Sequence, residues 1–157
     1  MLASGGNDNI VNIYDIRRTN KEVAWYKHDA AIRALDWMGP SVLVSGGGTN
    51  DGKVKFWKEA DNVYREFSTG SQICSLIVSA NSEEVVTCQG FSLHQVIIWS
   101  LEGKRAMTIH GHNNRVLYSA LSPGGDYVAT GAGDSTLKVW KLFKRTSKND
   151  WPESDIR

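Results

Sequence analysis

Four apolar segments, NIVNIYD, GKVKFWK, HQVIIWS and TLKVWK, carry the aromatic residues Tyr14, Trp57, Trp99 and Trp140, spaced 43, 42 and 41 residues apart. A near-constant interval of this length is the mark of one supersecondary unit repeated along the chain, and it constrains the fold more than any composition figure. One and three residues before each aromatic the side chain is apolar: Ile13 and Val11, Phe56 and Val54, Ile98 and Val96, Val139 and Leu137. A period of two is that of a β-strand, whose successive side chains point to opposite faces.

Each such strand is preceded by another short one, in LASGG, VLVSGGG, EVVTC and YVATGAG, and all but EVVTC lead into turns rich in Gly, Asn and Asp. Those residues accept positive φ and close hairpins. Further upstream, Ile32 to Trp37, Ile73 to Val78 and Val116 to Leu121 are near-continuous apolar runs, the pattern of strands buried on both faces and therefore innermost. Weaker fourth strands are expected in VAWYK, VYREF and RAMTI. Four strands per unit make a propeller blade. The predicted fold is all-β: an incomplete WD-repeat β-propeller over residues 1–143, with three, four, four and three strands, followed by a flexible basic tail over 144–157. That is about three and a half blades where closure takes about seven. Open faces would expose core and unpaired edges, so the chain is expected to be a fragment or to be closed by another polypeptide.

The polar residues have a structural reading. Asp8, Asp51 and Asp134 each lie six residues before the repeat aromatic, and His28 and His112 precede inner strands. In the last unit His112, Thr130, Asp134 and Trp140 are expected to hydrogen-bond one another inside the blade, as buried polar groups must. The competing reading makes His110, His112 and Asp134 metal ligands; the network is preferred, and no metal or cofactor is expected. GGGTNDGK is glycine-rich, but it lacks the Lys-Ser or Lys-Thr pair of a phosphate loop and leads into a strand rather than a helix. Nucleophile and base pairs at activating spacing are missing, so no enzymatic activity is expected. The formal charge of +1 argues against nucleic acid as a partner, and no apolar run approaches the ~20 residues of a membrane span. Two cysteines, Cys74 and Cys88, both in apolar segments, suit a reducing compartment; nucleus and cytoplasm are the expected location.

The words LASGGNDN, GGGTNDGKVKFW, SQICSL, QGFSLHQVIIW, RVLYSALSPGG and GAGDSTLKVWKLF closely resemble the fizzy and fizzy-related co-activators of the anaphase-promoting ubiquitin ligase. The resemblance runs from Leu2 through Phe143 and resumes at Ile156-Arg157. It includes Ser71-Gln72 in the third unit, taken as replacing Gly-His, and that unit's turn without Asp. It implies a seven-bladed adaptor that recruits degron-bearing cell-cycle proteins for ubiquitination. The residues it implies for a Lys-Glu-Asn degron are Asn7, Asn9, Thr49, Gln72 and Arg115, which the strand order puts on one rim. Amides and a guanidinium suit a peptide bearing carboxylate, ammonium and amide. The alternative is that Asn7 and Asn9 only form the turn, in which case the chain is a generic WD-repeat scaffold. A destruction-box site between last and first blades is also implied, but Ser135 stands where relatives commonly carry Glu. Finally, the resemblance implies that Ile156 and Arg157 dock on tetratricopeptide subunits of the ligase, a terminal-carboxylate mode of recognition.

Overall fold

The computed structural model describes residues 1–17, 21–58, 61–79 and 82–143. The tail, 144–157, with Ile156 and Arg157, lies outside the described residues. The described residues form fourteen strands and no helix, in four antiparallel sheets. The first sheet holds β1 (Leu2–Gly5), β2 (Ile10–Asp15) and β3 (Lys21–Lys27). The second holds β4 (Ile32–Met38), β5 (Val42–Gly47), β6 (Lys53–Lys58) and β7 (Asp61–Ser68). The third holds β8 (Ile73–Ser79), β9 (Glu84–Gln89), β10 (Val96–Ser100) and β11 (Arg105–Ile109). The fourth holds β12 (Val116–Leu121), β13 (Tyr127–Ala132) and β14 (Leu137–Lys141). Strands adjacent in sequence are adjacent in each sheet, so every sheet is an up-and-down meander, and the three, four, four, three division is the one the repeat predicts.

The core lies between sheets. Ala34, Val44, Val54 and Phe56 of the second sheet meet Ile73, Leu76, Val78 and Val85 of the third. The third sheet's other face sends Ile77, Val86, Cys88, Val96 and Ile98 against Val116 and Val128 of the fourth. Alternate residues of β8 thus serve two cores, which is why its sequence reads as a continuous apolar run. Val11, Ile13 and Tyr26 pack likewise on Ile32, Leu43 and Trp57. On the fourth sheet the same strand positions are bare. Val54 and Phe56 are 0% exposed, whereas their counterparts Leu137 and Val139 are 73% and 59% exposed. Among the described residues nothing covers that face.

One irregularity recurs and shapes the site. The pairing of each inner strand with its neighbour shifts register between Ile32 and Ala34, between Ile73 and Ser75, and between Val116 and Tyr118. Arg33, Cys74 and Leu117 are the extra residues of three β-bulges, a device that bends a strand and re-aims a side chain.

Candidate peptide-binding rim and central cleft

Each complete blade is pinned by one polar relay. In the second sheet the Trp57 indole N–H donates to Ser45 Oγ at 2.7 Å, Ser45 Oγ lies 2.6 Å from His28 Nε2, and His28 Nδ1 lies 2.8 Å from Asp51 Oδ2. With the hydroxyl donating to Nε2 and Nδ1–H to the carboxylate, every group of the relay is satisfied. Burial lowers the His28 pKa from its ordinary 6.5 against the pull of Asp51, so the ring is neutral at pH 7. Burial would raise the Asp51 carboxyl, but hydrogen bonds from His28 and from the backbone N–H groups of Asp29 and Lys53 outweigh it and hold the pKa low. The fourth sheet repeats the relay. Trp140 Nε1–H donates to Thr130 Oγ1 at 2.8 Å, Thr130 Oγ1 lies 2.8 Å from His112 Nε2, and His112 Nδ1 lies 3.2 Å from Asp134 Oδ2.

The third sheet solves the problem differently, and here the sequence register needs correction. His28 and His112 stand four residues before Ile32 and Val116, and the residue four before Ile73 is Thr69, not Gln72. Backbone bonds settle the equivalence: Thr69 N–H donates to Gly52 O at 2.8 Å as His28 N–H donates to Asn9 O at 2.9 Å. The imidazole is replaced by Gln89, whose counterparts are the small residues Gly47 and Ala132. Gln89 is fully buried; its amide donates to Thr87 Oγ1 at 2.8 Å, and that oxygen also accepts the Trp99 indole N–H at 2.8 Å. A sequence signal existed: the unit lacking His carries a long amide where the others carry Gly or Ala.

The rim residues fall into two groups. Asn7 and Thr49 are exposed in the turns after β1 and β5. Asn9 has φ +67°, as Gly52 has φ +57°, and its carbonyl receives the His28 N–H, so its backbone shapes the turn. These turns and the starts of inner strands are tied at one end of the sheets, by Ile32 N–H to Gly6 O, Gly48 N–H to Ala31 O, Gly90 N–H to Gln72 O and Gly133 N–H to Arg115 O, all at 2.8–3.0 Å.

Gln72 and Arg115 come together. They line one cleft of about 250 Å³ with Arg33, Cys74, Leu117 and Tyr118. Asn7, Asn9 and Thr49 do not line it. All three bulge residues do, because the bulges turn them out of the sheet ladder toward this space. A Cβ on Gly90 would stand 2.9 Å from Gln72 Oε1 and 3.1 Å from Cys74 Sγ, so glycine lets the amide and the thiol approach the backbone. Burial raises the Cys74 pKa, while Arg115 and Arg33 pull it down. Both guanidinium-bearing residues are exposed, no carboxylate lines the cleft, and among the described residues none forms an ion pair with either. Arg33 lay hidden in the sequence as one polar residue in an apolar run.

Comparison with known proteins agrees with this architecture. The family profile "WD domain, G-beta repeat" matches residues 20–58 and 103–141. The chain is 39% identical to Protein FIZZY-RELATED 1 of Arabidopsis thaliana, over 99% of its own length and 33% of that protein's. It is 41% identical to the Arabidopsis thaliana protein named Cell division cycle 20.5, cofactor of APC complex, over 94% of its own length and 35% of the relative's. The chain therefore spans about a third of the length of these relatives. Among solved structures, a chain from the "Crystal Structure of Mitotic Checkpoint Complex" superposes with a TM-score of 0.84 at 38% identity, covering 90% of this chain and 45% of that one. With its repeats, its four blade sheets and this identity along nearly all its length, the chain belongs to the WD-repeat β-propeller proteins, in the family of the fizzy and fizzy-related proteins.

Proposed function

We propose that this chain is the degron-reading portion of a substrate-recruiting adaptor for the anaphase-promoting ubiquitin ligase, working in the nucleus and cytoplasm without bond chemistry of its own. The relative named as a cofactor of the APC complex and the mitotic checkpoint neighbour support the setting. The observation that carries the reading is the cleft: Gln72 and Arg115 share an acid-free recess at the end of the sheets that also holds the turns of Asn7, Asn9 and Thr49. An amide beside an exposed guanidinium is the chemistry for a peptide carboxylate flanked by polar groups. In this reading Arg115 forks onto the glutamate of a Lys-Glu-Asn degron and the rim amides take its lysine and asparagine. Ile156 and Arg157 supply the second contact, with tetratricopeptide subunits of the ligase.

The test is a titration of the chain with a fluorescent Lys-Glu-Asn peptide. A charge-assisted hydrogen bond is worth roughly 1.5–3 kcal/mol, so Arg115→Ala weakens binding at least about tenfold, and a Lys-Gln-Asn peptide loses a similar factor. Equal affinity of the two peptides would return the rim to turn formation and the chain to a generic scaffold.

A further inference from the structure

The degron reading above uses one guanidinium of a cleft that contains two. Arg33 comes from the bulge of β4 and Arg115 from the start of β12, and between their strands lies β8, whose bulge residue Cys74 feels both charges. We propose that Arg33 and Arg115 are the two cationic walls of one anion-binding cleft, and that Arg33 makes the rim select peptide segments carrying two negative charges over segments carrying one. This inference rests on the peptide-binding reading of the same cleft.

Charge balance is the argument. A docked peptide takes water away from both guanidinium groups, and a charge stripped of water without a partner is costly. A single carboxylate answers one of them. No acidic side chain lines the cleft to answer the other. The chain's formal charge of only +1 adds no broad field, so the preference is local. Either a second carboxylate or one phosphate supplies the missing charge in the forked geometry that guanidinium groups favour. Gln72 adds an uncharged amide to the lining, and Tyr118, 74% exposed, adds an aromatic ring.

Three peptides distinguish the sources: the Lys-Glu-Asn segment alone, the segment followed by Asp, and the segment followed by phosphoserine. The Asp peptide is expected to bind about fivefold tighter than the first, the factor that one unit charge at about 4 Å gives even in water, and the phosphoserine peptide, whose phosphate carries more than one charge, at least as tightly as the Asp peptide. That advantage, taken as the ratio of affinities within each variant, disappears in Arg33→Gln and survives in Arg33→Lys. A gain confined to phosphoserine assigns the second charge to phosphate. An advantage that persists in Arg33→Gln overturns the proposal.

A second measurement needs no peptide. Cys74 sits in the cleft, and the other cysteine, Cys88, is fully buried with its pKa pushed up to about 12, so thiol labelling of the folded chain reports the cleft alone. A dicarboxylate aryl disulfide is expected to outpace a neutral pyridyl disulfide of similar size at Cys74, with the ratio falling in high salt and in Arg33→Gln. If no peptide binds while this ratio holds, the degron reading fails and the anion cleft stands. Equal rates for the two reagents remove the cleft whatever the peptides do.

Discussion

Gln89 and Ser45 occupy different links of the same kind of relay, and removing each has a calculable cost. Ser45→Ala leaves two buried groups orphaned: His28 Nε2, in a residue 0% exposed, and the indole N–H of Trp57, in a residue 3% exposed. An unsatisfied buried polar group costs about 1–3 kcal/mol, so the pair costs about 2–6 kcal/mol. Gln89→Leu keeps the volume and strips the amide. It removes the 2.8 Å bond to Thr87 and the contact of 3.5 Å from Thr69, which is barely a hydrogen bond. Neither threonine is orphaned: Thr87 keeps the Trp99 N–H, and Thr69 Oγ1 keeps the carbonyls of Gly52 and Ser71, each at 2.9 Å. The expected cost is therefore about 1–1.5 kcal/mol, the net worth of one bond. At about 2–4 °C per kcal/mol for a chain of this size, Ser45→Ala lowers the melting temperature by about 4–24 °C and Gln89→Leu by about 2–6 °C. Thermal unfolding followed by tryptophan fluorescence measures both. A Gln89→Leu loss equal to or greater than that of Ser45→Ala would refute the claim that the third sheet's relay is redundant. In the same logic, Thr69→His is harmful alone and is rescued by Gln89→Gly, which removes the amide side chain that stands in for the ring.

Acid should weaken the blades in two stages. His28 titrates below its ordinary 6.5 in the folded chain, so as pH falls through about 6.5 the unfolded chain takes up a proton that the native one refuses, and stability, full above that pH, declines. Asp51 and Asp134, both held below their ordinary 3.8, add a second decline below about pH 4; a melting temperature flat from about pH 8 to about pH 4 would contradict the relay. The exposed counterparts of core positions, Leu137 and Val139, make the isolated chain self-associate, so Leu137→Lys with Val139→Lys should shift sedimentation toward monomer; no shift would place the contact elsewhere. For the proposed ligase contact, a peptide spanning Trp151 to Arg157 should lose binding to the tetratricopeptide groove when its terminus is amidated, and equal binding of acid and amide would discard it.

What could be read before any coordinates follows from which physical signal each feature leaves. Tyr14, Trp57, Trp99 and Trp140 recur because every blade sets an aromatic at one station, buried in the two inner sheets and half-buried in the outer two, so the repeat announced the sheets and even the weak strand RAMTI, now β11. The relay of His112, Thr130, Asp134 and Trp140 was legible for a related reason: buried polar groups need partners, and only a few residue types can supply them at fixed spacing. Gln89 escaped because it substitutes across strands. Its amide enters from the end of β9 to do what an imidazole does from the loop before β4 or β12, and spacing along the chain does not record such an exchange. Asp36 escaped likewise; within a run that reads as apolar, its Oδ2 accepts the Val78 N–H at 2.8 Å and ties β4 to β8.

The cleft was half legible for a deeper reason. Gln72 and Arg115 stand at the heads of words, SQICSL and RVLYSAL, that the resemblance singled out. Arg33 belongs to Ile32 to Trp37, where strict alternation would send residue 33 to the face of the sheet opposite Ile32 and Ala34. The bulge breaks that alternation. It inserts Arg33 between Ile32, which packs toward the first sheet, and Ala34, which packs toward the third, so its two neighbours face opposite ways and the guanidinium-bearing residue is exposed. A bulge is a property of how two strands pair, not of either strand's pattern, and so the residue that completes the charge of the cleft becomes visible only when β4 is laid against β5. The same shift at Cys74 and Leu117 makes the arrangement a property of the repeat itself. Each of the three sheets with an inner strand offers one bulge residue to the central space, and this chain has placed a cation, a thiol and a leucine there. Specificity at the cleft can therefore be altered at these three stations without touching the strands that hold the sheets together, and Arg33 is the station that carries charge.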